Sequence, residues 1–240
     1  MEDEDDYGLI TDDDSSRSAR LSLVTALGPA FHSVGRILWT GGYIIGGDRV
    51  AGRSPFGYGS DAVVGLAIVA QTAGELCAGA ALLLDHGNQY AAASLLRQLV
   101  EVEYLAWAFA EDEEEAARWL RSTQKDRLQQ WQPRHIRERS AGRFRSSDYS
   151  WHCEIGGHPT REGARLLPGH SRWPDFLGWL ELAIHGASTW DYLQSAVKGF
   201  GYGEVTKLEG TTILASALVA WRSSDRLRDR LRQVTRSKSS

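Results

Sequence analysis

Arg97, Glu101 and Tyr104 are separated by four and three positions, so on a helix they lie along one stripe. A guanidinium and a carboxylate four residues apart form an ion pair that fixes one helix against another or floors a binding pocket. Glu103 falls off that stripe and is expected to face solvent. A second concentration of titratable groups is Tyr149-Ser150-Trp151-His152-Cys153-Glu154-Ile155-Gly156-Gly157-His158-Pro159. Gly156-Gly157 ahead of Pro159 gives the backbone a fixed bend at His158. An imidazole held at such a helix end can move protons near neutral pH. The reading is that Arg97, Glu101 and Tyr104 meet Tyr149, Glu154 and His158 in one polar pocket inside an apolar bundle, with His158 bonded to Arg97 or Glu101.

Other chemistries fit less well. Glu154 and His158 stand four apart, as do Glu181 and His185, but neither pair has the Glu-x-x-His spacing of di-iron bundles, and HExxH is missing. These pairs read as structural hydrogen bonds, with no metal site and no cofactor expected. No Gly-x-Ser-x-Gly elbow marks a hydrolase. Two spacings match Arg-x(4–6)-His, namely Arg145 to His152 and Arg165 to His170, and the first stays within one segment. Its chemistry would be metal-independent RNA cleavage, with His152 as general base and Arg145 stabilising charge on phosphorus. The basic stretch Arg134 to Arg145, with Trp131, Phe144 and Trp151 nearby, could supply charge and stacking for RNA.

The elements that must position these groups read as helical throughout. Apolar spacing predicts a helix from about Arg17, with Gly28-Pro29 kinking or breaking it, and a Gly-rich loop from Gly41. Ser60 caps a helix ending near Asp85 and His86-Gly87 closes it. Asn88 then caps the next helix, to about Ala110, packed antiparallel across a short turn. Glu111 to Gln132 reads as one exposed, charged helix, and Asp148 to Gly157 as a short one. Pro174 opens a helix to about Gly199, and a last helix spans about Glu204 to Gln233. No segment alternates like a strand. The expected fold is an all-α, single-domain bundle of about six to eight helices over residues 17–234, between a disordered acidic tail (1–16) and a frayed end (235–240).

A net charge of −4 gives no bulk reason to expect nucleic acid, and nine Trp argue for a folded chain. Two cysteines exclude a disulfide framework and suit a reducing compartment. The acidic start lacks a signal-peptide pattern. Ala62 to Leu84 is apolar but carries Glu75, Gln71 and three glycines, and reads as a core helix and not as a membrane span. The abundance of Arg over Lys fits a GC-rich bacterial genome, so the expected setting is bacterial cytoplasm.

The stretch LLLDHGNQYAAASLLRQLVEVEYLAWAFAED, followed by YSWHCEIGGHPT, resembles a family of bacterial all-helical proteins of unknown function. The resemblance covers about residues 62–160 and implies a helical bundle with Arg97, Glu101 and His158 at matching positions. Some relatives of that family are similar to HEPN-type domains, which implies the ribonuclease chemistry of Arg145 and His152. This chain departs from the HEPN pattern, because no polar residue of the expected type follows Arg145 at the start of a long final helix. The resulting expectation is a binding or regulatory module for an unidentified ligand or protein, with a homo-oligomer among the assemblies open to it and a toxin-type or phage-defence ribonuclease as the alternative.

Overall fold

The computed structural model describes residues 12–44, 60–112, 114–170, 174–199, 201, 203–207 and 209–227. Among these residues there are nine α-helices and no strand: α1 (Asp14–Ile44), α2 (Asp61–Asp85), α3 (Gln89–Glu111), α4 (Glu115–Arg121), α5 (Gln124–Gln130), α6 (Pro133–Arg139), α7 (Ser146–His152), α8 (Phe176–Gly199) and α9 (Glu209–Ser224). The all-α architecture is as the sequence patterning predicts.

The frame consists of α1, α2, α3, α8 and α9. Helix α1 runs unbroken through Pro29, where a kink or break is expected from the sequence. Pro29 sits on the exposed face, so the carbonyl that loses its amide partner can turn to water. On the opposite face Gly28, Gly35 and Gly42 recur every seven residues against α2. A Cβ on Gly35 would lie 2.6 Å from Gln71 Cγ, and one on Gly42 2.7 Å from Val64 Cγ2, so this approach of two backbones excludes larger side chains. Gly41 and Gly42 therefore belong to α1, and the rest of the expected loop, residues 45–59, lies outside the described residues.

Helix α2 ends as the sequence dictates. Gly87 takes a left-handed φ of 71°, and Asn88 N–H donates to the Leu83 carbonyl at 2.8 Å, the Schellman closure that turns the chain back into α3. Asn88 occupies the cap position of α3, yet its side chain makes no cap hydrogen bond. Helices α1 and α2 are both long and apolar enough to cross a membrane by length and composition. In the bundle α2 is covered by α1, α3, α4 and α8, and Leu66, Ala67, Ala70, Ala73 and Cys77 are buried in the core. Each fully buried Leu or Phe here contributes about 1.5–3 kcal/mol.

The acidic start is not wholly a tail. Arg20 is buried and donates from Nε to Asp225 Oδ2 at 2.8 Å, while Asp12 Oδ1 accepts from the same guanidinium at 2.9 Å. Ser16 Oγ donates to the Ser224 carbonyl at 3.2 Å, joining the start of α1 to the end of α9. Residues 12–16 are thus part of the fold, a correction to the 1–16 boundary, because Asp12 binds the buried Arg20 that reaches Asp225, and Ser16 reaches Ser224, contacts between the two ends of the chain that sequence periodicity does not register. Residues 1–11 and 228–240, including the expected frayed end, lie outside the described residues.

The expected exposed helix over Glu111 to Gln132 divides into α4 and α5, with Thr123 and Asp126 forming a capping box at the break. Glu115 is buried and gathers this region. It accepts from Trp131 Nε1 at 3.0 Å and Arg139 Nη1 at 2.7 Å, and pairs with Arg118. The basic stretch forms α6, opened by Pro133 at its first turn.

Candidate functional site

Helix α7 continues into one π turn, Cys153–Gly157. This segment lies directly on α3, since a Cβ on Gly156 would stand 2.4 Å from the Ala93 carbonyl carbon, and Ser94 Oγ donates to the Gly156 carbonyl at 2.7 Å. The close approach fixes α7 so that its two faces present different groups. Tyr149 and Cys153 turn toward α3, whereas Asp148 and His152 turn toward α8.

On the first face Arg97 Nη2 donates to Tyr149 Oη at 3.0 Å, Tyr149 Oη donates to Glu101 Oε1 at 2.8 Å, and Arg97 pairs with Glu101 at 2.8 Å. Arg97 Nε also donates to Cys153 Sγ at 3.5 Å. Burial, and then the Glu101 bond, push the Tyr149 phenol above its ordinary range. Three expected site residues, Arg97, Glu101 and Tyr149, are therefore brought together, and Cys153 joins them. Of the other three only Tyr104 comes near, its ring 6.1 Å from that of Tyr149 but outside the hydrogen bonds. Tyr104 is buried but stacks on Phe144 at 4.0 Å between ring centroids, its hydroxyl without a hydrogen-bond partner. Glu154 is exposed, with its backbone carbonyl accepting from the Thr160 hydroxyl, and His158 is exposed just beyond the π turn. The bend at His158 aims that imidazole outward because Gly156 and Gly157 consume the inward-facing space against Ala93 and Arg97.

The second face holds a constellation that the stripe reading misses. Glu103 on α3 is buried, contrary to the expectation of solvent exposure, and its Oε2 accepts from His185 Nδ1 at 2.7 Å. His185 Nε2 lies 3.2 Å from Glu181 Oε2 and 3.1 Å from His152 Nε2. His152, 0% exposed, has Nε2 at 3.6 Å from Glu181 Oε2 and 4.0 Å from Asp148 Oδ1, while its Nδ1 is buried without a hydrogen-bond partner. Thr189 anchors the next turn of α8 by donating to the His185 carbonyl at 2.7 Å.

Burial opposes charge on His185, yet its bonds to Glu103 and Glu181 outweigh that penalty and carry it well above its ordinary value. Burial, and then the neighbouring His185 cation, push His152 down, so it stays neutral. Burial would raise Glu181, but His185 reverses this and holds it below the usual carboxylate range. Glu181, partly exposed, also lines a small cavity of about 80 Å³ with Leu96, Trp151, Ile155 and Leu177. Two larger clefts, of about 780 and 730 Å³, open along the first half of α1, and no residue of either polar cluster lines them.

Arg145 and His152 do not converge. Arg145 is exposed at the cap position of α7, whereas His152 is fully buried at its far end, aimed at α8. The basic stretch is engaged with the protein itself. Arg137 lies over the Tyr149 ring at 5.1 Å, Arg139 is bound by Glu115, and Arg143 donates to Tyr192 Oη at 3.4 Å. Trp131 is buried on Glu115 and Phe144 is stacked on Tyr104, so neither offers a face to a nucleobase.

The chain matches no family model, no curated protein and no solved structure.

Proposed function

We propose that the protein is a binding module whose ligand seat is the Glu103, Asp148, His152, Glu181 and His185 cluster between α3, α7 and α8. The observation that carries this reading is the pair of imidazoles facing each other nitrogen to nitrogen in the core, with one ring nitrogen of His152 left unpartnered. A cluster kept only for stability would be expected to satisfy its buried polar atoms. The rim is open at Glu181 and Asp148, the two partly exposed members, which gives a ligand a way in. The ribonuclease alternative finds less support, because its two residues stand apart and the basic stretch is engaged internally.

Replacing a buried ionic cluster with apolar residues of similar size is often neutral or stabilising by about 1–4 kcal/mol. The combined variant Glu103→Leu, His152→Leu, Glu181→Leu and His185→Leu should therefore keep or raise the urea midpoint of the wild type. A loss of several kcal/mol would make the cluster a structural element and end this reading.

A further inference from the structure

We propose that this seat takes one divalent transition-metal ion, held by Asp148, His152, Glu181 and His185, with Glu103 bracing His185 from behind; the assignment rests on the cluster being a ligand seat. Each helix contributes a carboxylate and an imidazole four residues apart, Asp148 with His152 on α7 and Glu181 with His185 on α8, so both donors of a pair project from one helix face. Tetrahedral ligands at bond lengths of about 2.0–2.2 Å stand about 3.3–3.6 Å from one another. The separations here are 3.1 Å between the two Nε2 atoms, 3.2 Å from His185 Nε2 to Glu181 Oε2, and 3.6 Å from His152 Nε2 to the same oxygen. Asp148 adds a wider edge, its Oδ1 4.0 Å from His152 Nε2, and one donor atom from each of Asp148, His152 and His185 lies within 4.8 Å of the others. Asp148 is 43% exposed, so its carboxylate is free to close that edge.

Glu103 supplies an independent indication. A metal-ligating histidine usually donates its other ring N–H to a carboxylate, which fixes the tautomer and strengthens the ligating nitrogen. His185 does this at 2.7 Å, leaving Nε2 directed at the seat. Two imidazoles and two carboxylates without a thiolate suit Zn²⁺ or Fe²⁺ better than Mg²⁺ or Ca²⁺, and the two carboxylates of the donor set balance the ion's charge. On binding, His185 Nε2 gives up its proton to water and its lone pair to the ion.

The test is calorimetric titration of the chelator-treated full chain with Zn²⁺, with the visible spectrum of the Co²⁺ adduct as a second readout. One ion per chain is expected. His152→Gln and His185→Gln should each weaken binding at least about 100-fold, and Glu103→Gln about 10- to 100-fold, as for other outer-shell partners. Glu101→Gln, outside the donor set, should bind as the wild type does. Circular dichroism checks that each variant is folded, and Asp148→Asn, at the half-exposed rim, replaces any core variant that is not. No saturable Zn²⁺ or Co²⁺ binding to the wild type overturns the proposal. So does affinity unchanged in both histidine variants, which would place the ion on exposed histidines. If the four-leucine variant retains stability while the wild type binds neither ion, the metal assignment fails and the ligand-seat reading stands.

Discussion

His152 and His185 face each other across the α7 and α8 contact with their Nε2 atoms 3.1 Å apart, a pairing that asks one nitrogen to hold a proton and the other to be bare. Glu103 decides which. By accepting from His185 Nδ1 it favours the cation there, so the second proton of that ring sits on Nε2 and the His152 Nε2 lone pair is left to receive it. The proton of His152 then belongs on Nδ1, the buried nitrogen that has no partner.

Glu103 and Glu101 lie two residues apart and differ in what their loss should do. Glu103 is 7% exposed, and its removal leaves a buried imidazolium short of a partner. Glu103→Ala is expected to cost about 3–5 kcal/mol. Glu101 and Arg97 are 34% and 28% exposed, and Arg97 keeps Tyr149 and Cys153 when Glu101 is truncated. Glu101→Ala is expected to cost no more than about 1 kcal/mol. Urea unfolding of the two variants measures the contrast.

The join between α1 and α9 gives a second prediction. Asp225 accepts from both Arg20 and Trp221 Nε1, the latter at 2.9 Å, so Asp225→Ala leaves the buried guanidinium with Asp12 alone and the indole N–H unpaired, and should cost about 3–5 kcal/mol. Removing residues 1–16 takes away Asp12 and Ser16 together. Calorimetry should show Tm falling by more than about 2 °C, since each kcal/mol is worth about 2–4 °C in a domain of this size. An unchanged Tm would mean that these contacts contribute nothing.

The two thiols should be told apart by a disulfide exchange reagent. Burial pushes Cys77 up to about 12 and leaves it without access to solvent. Cys153 is half-buried, beside Arg97. Native protein near pH 8 should therefore release one equivalent of reporter thiolate, traced by peptide mapping to Cys153, with the second appearing only in denaturant. Two equivalents from the native protein would contradict the packing of α2.

Much of the frame is legible in the sequence because the cues are local. His86-Gly87 closes α2, Pro174 precedes α8, and the apolar spacing of α3 makes it a core helix. The short helices α4 to α6 escape the pattern, for they are held by the buried Glu115 and its Trp131 and Arg139 partners and not by a continuous apolar stripe. The site fails in a similar way. Helix α3 is covered by α2, α8 and the α7 segment, so a residue off its main stripe, such as Glu103, is buried on a second face. The spacing of Glu181 and His185 is visible, but taken singly it reads as a hydrogen bond. The signal is its repetition in Asp148 and His152, on a segment too short for periodicity to orient.

The most direct test of the ligand seat is a long-range ¹H–¹⁵N correlation spectrum of the imidazoles in the metal-free protein near pH 7. A ligand seat requires a bare nitrogen aimed into it, so His152 should be neutral with its proton on Nδ1, and His185 should carry protons on both nitrogens. Protons on the Nε2 atoms of both rings would leave no lone pair facing the seat, and would contradict the account.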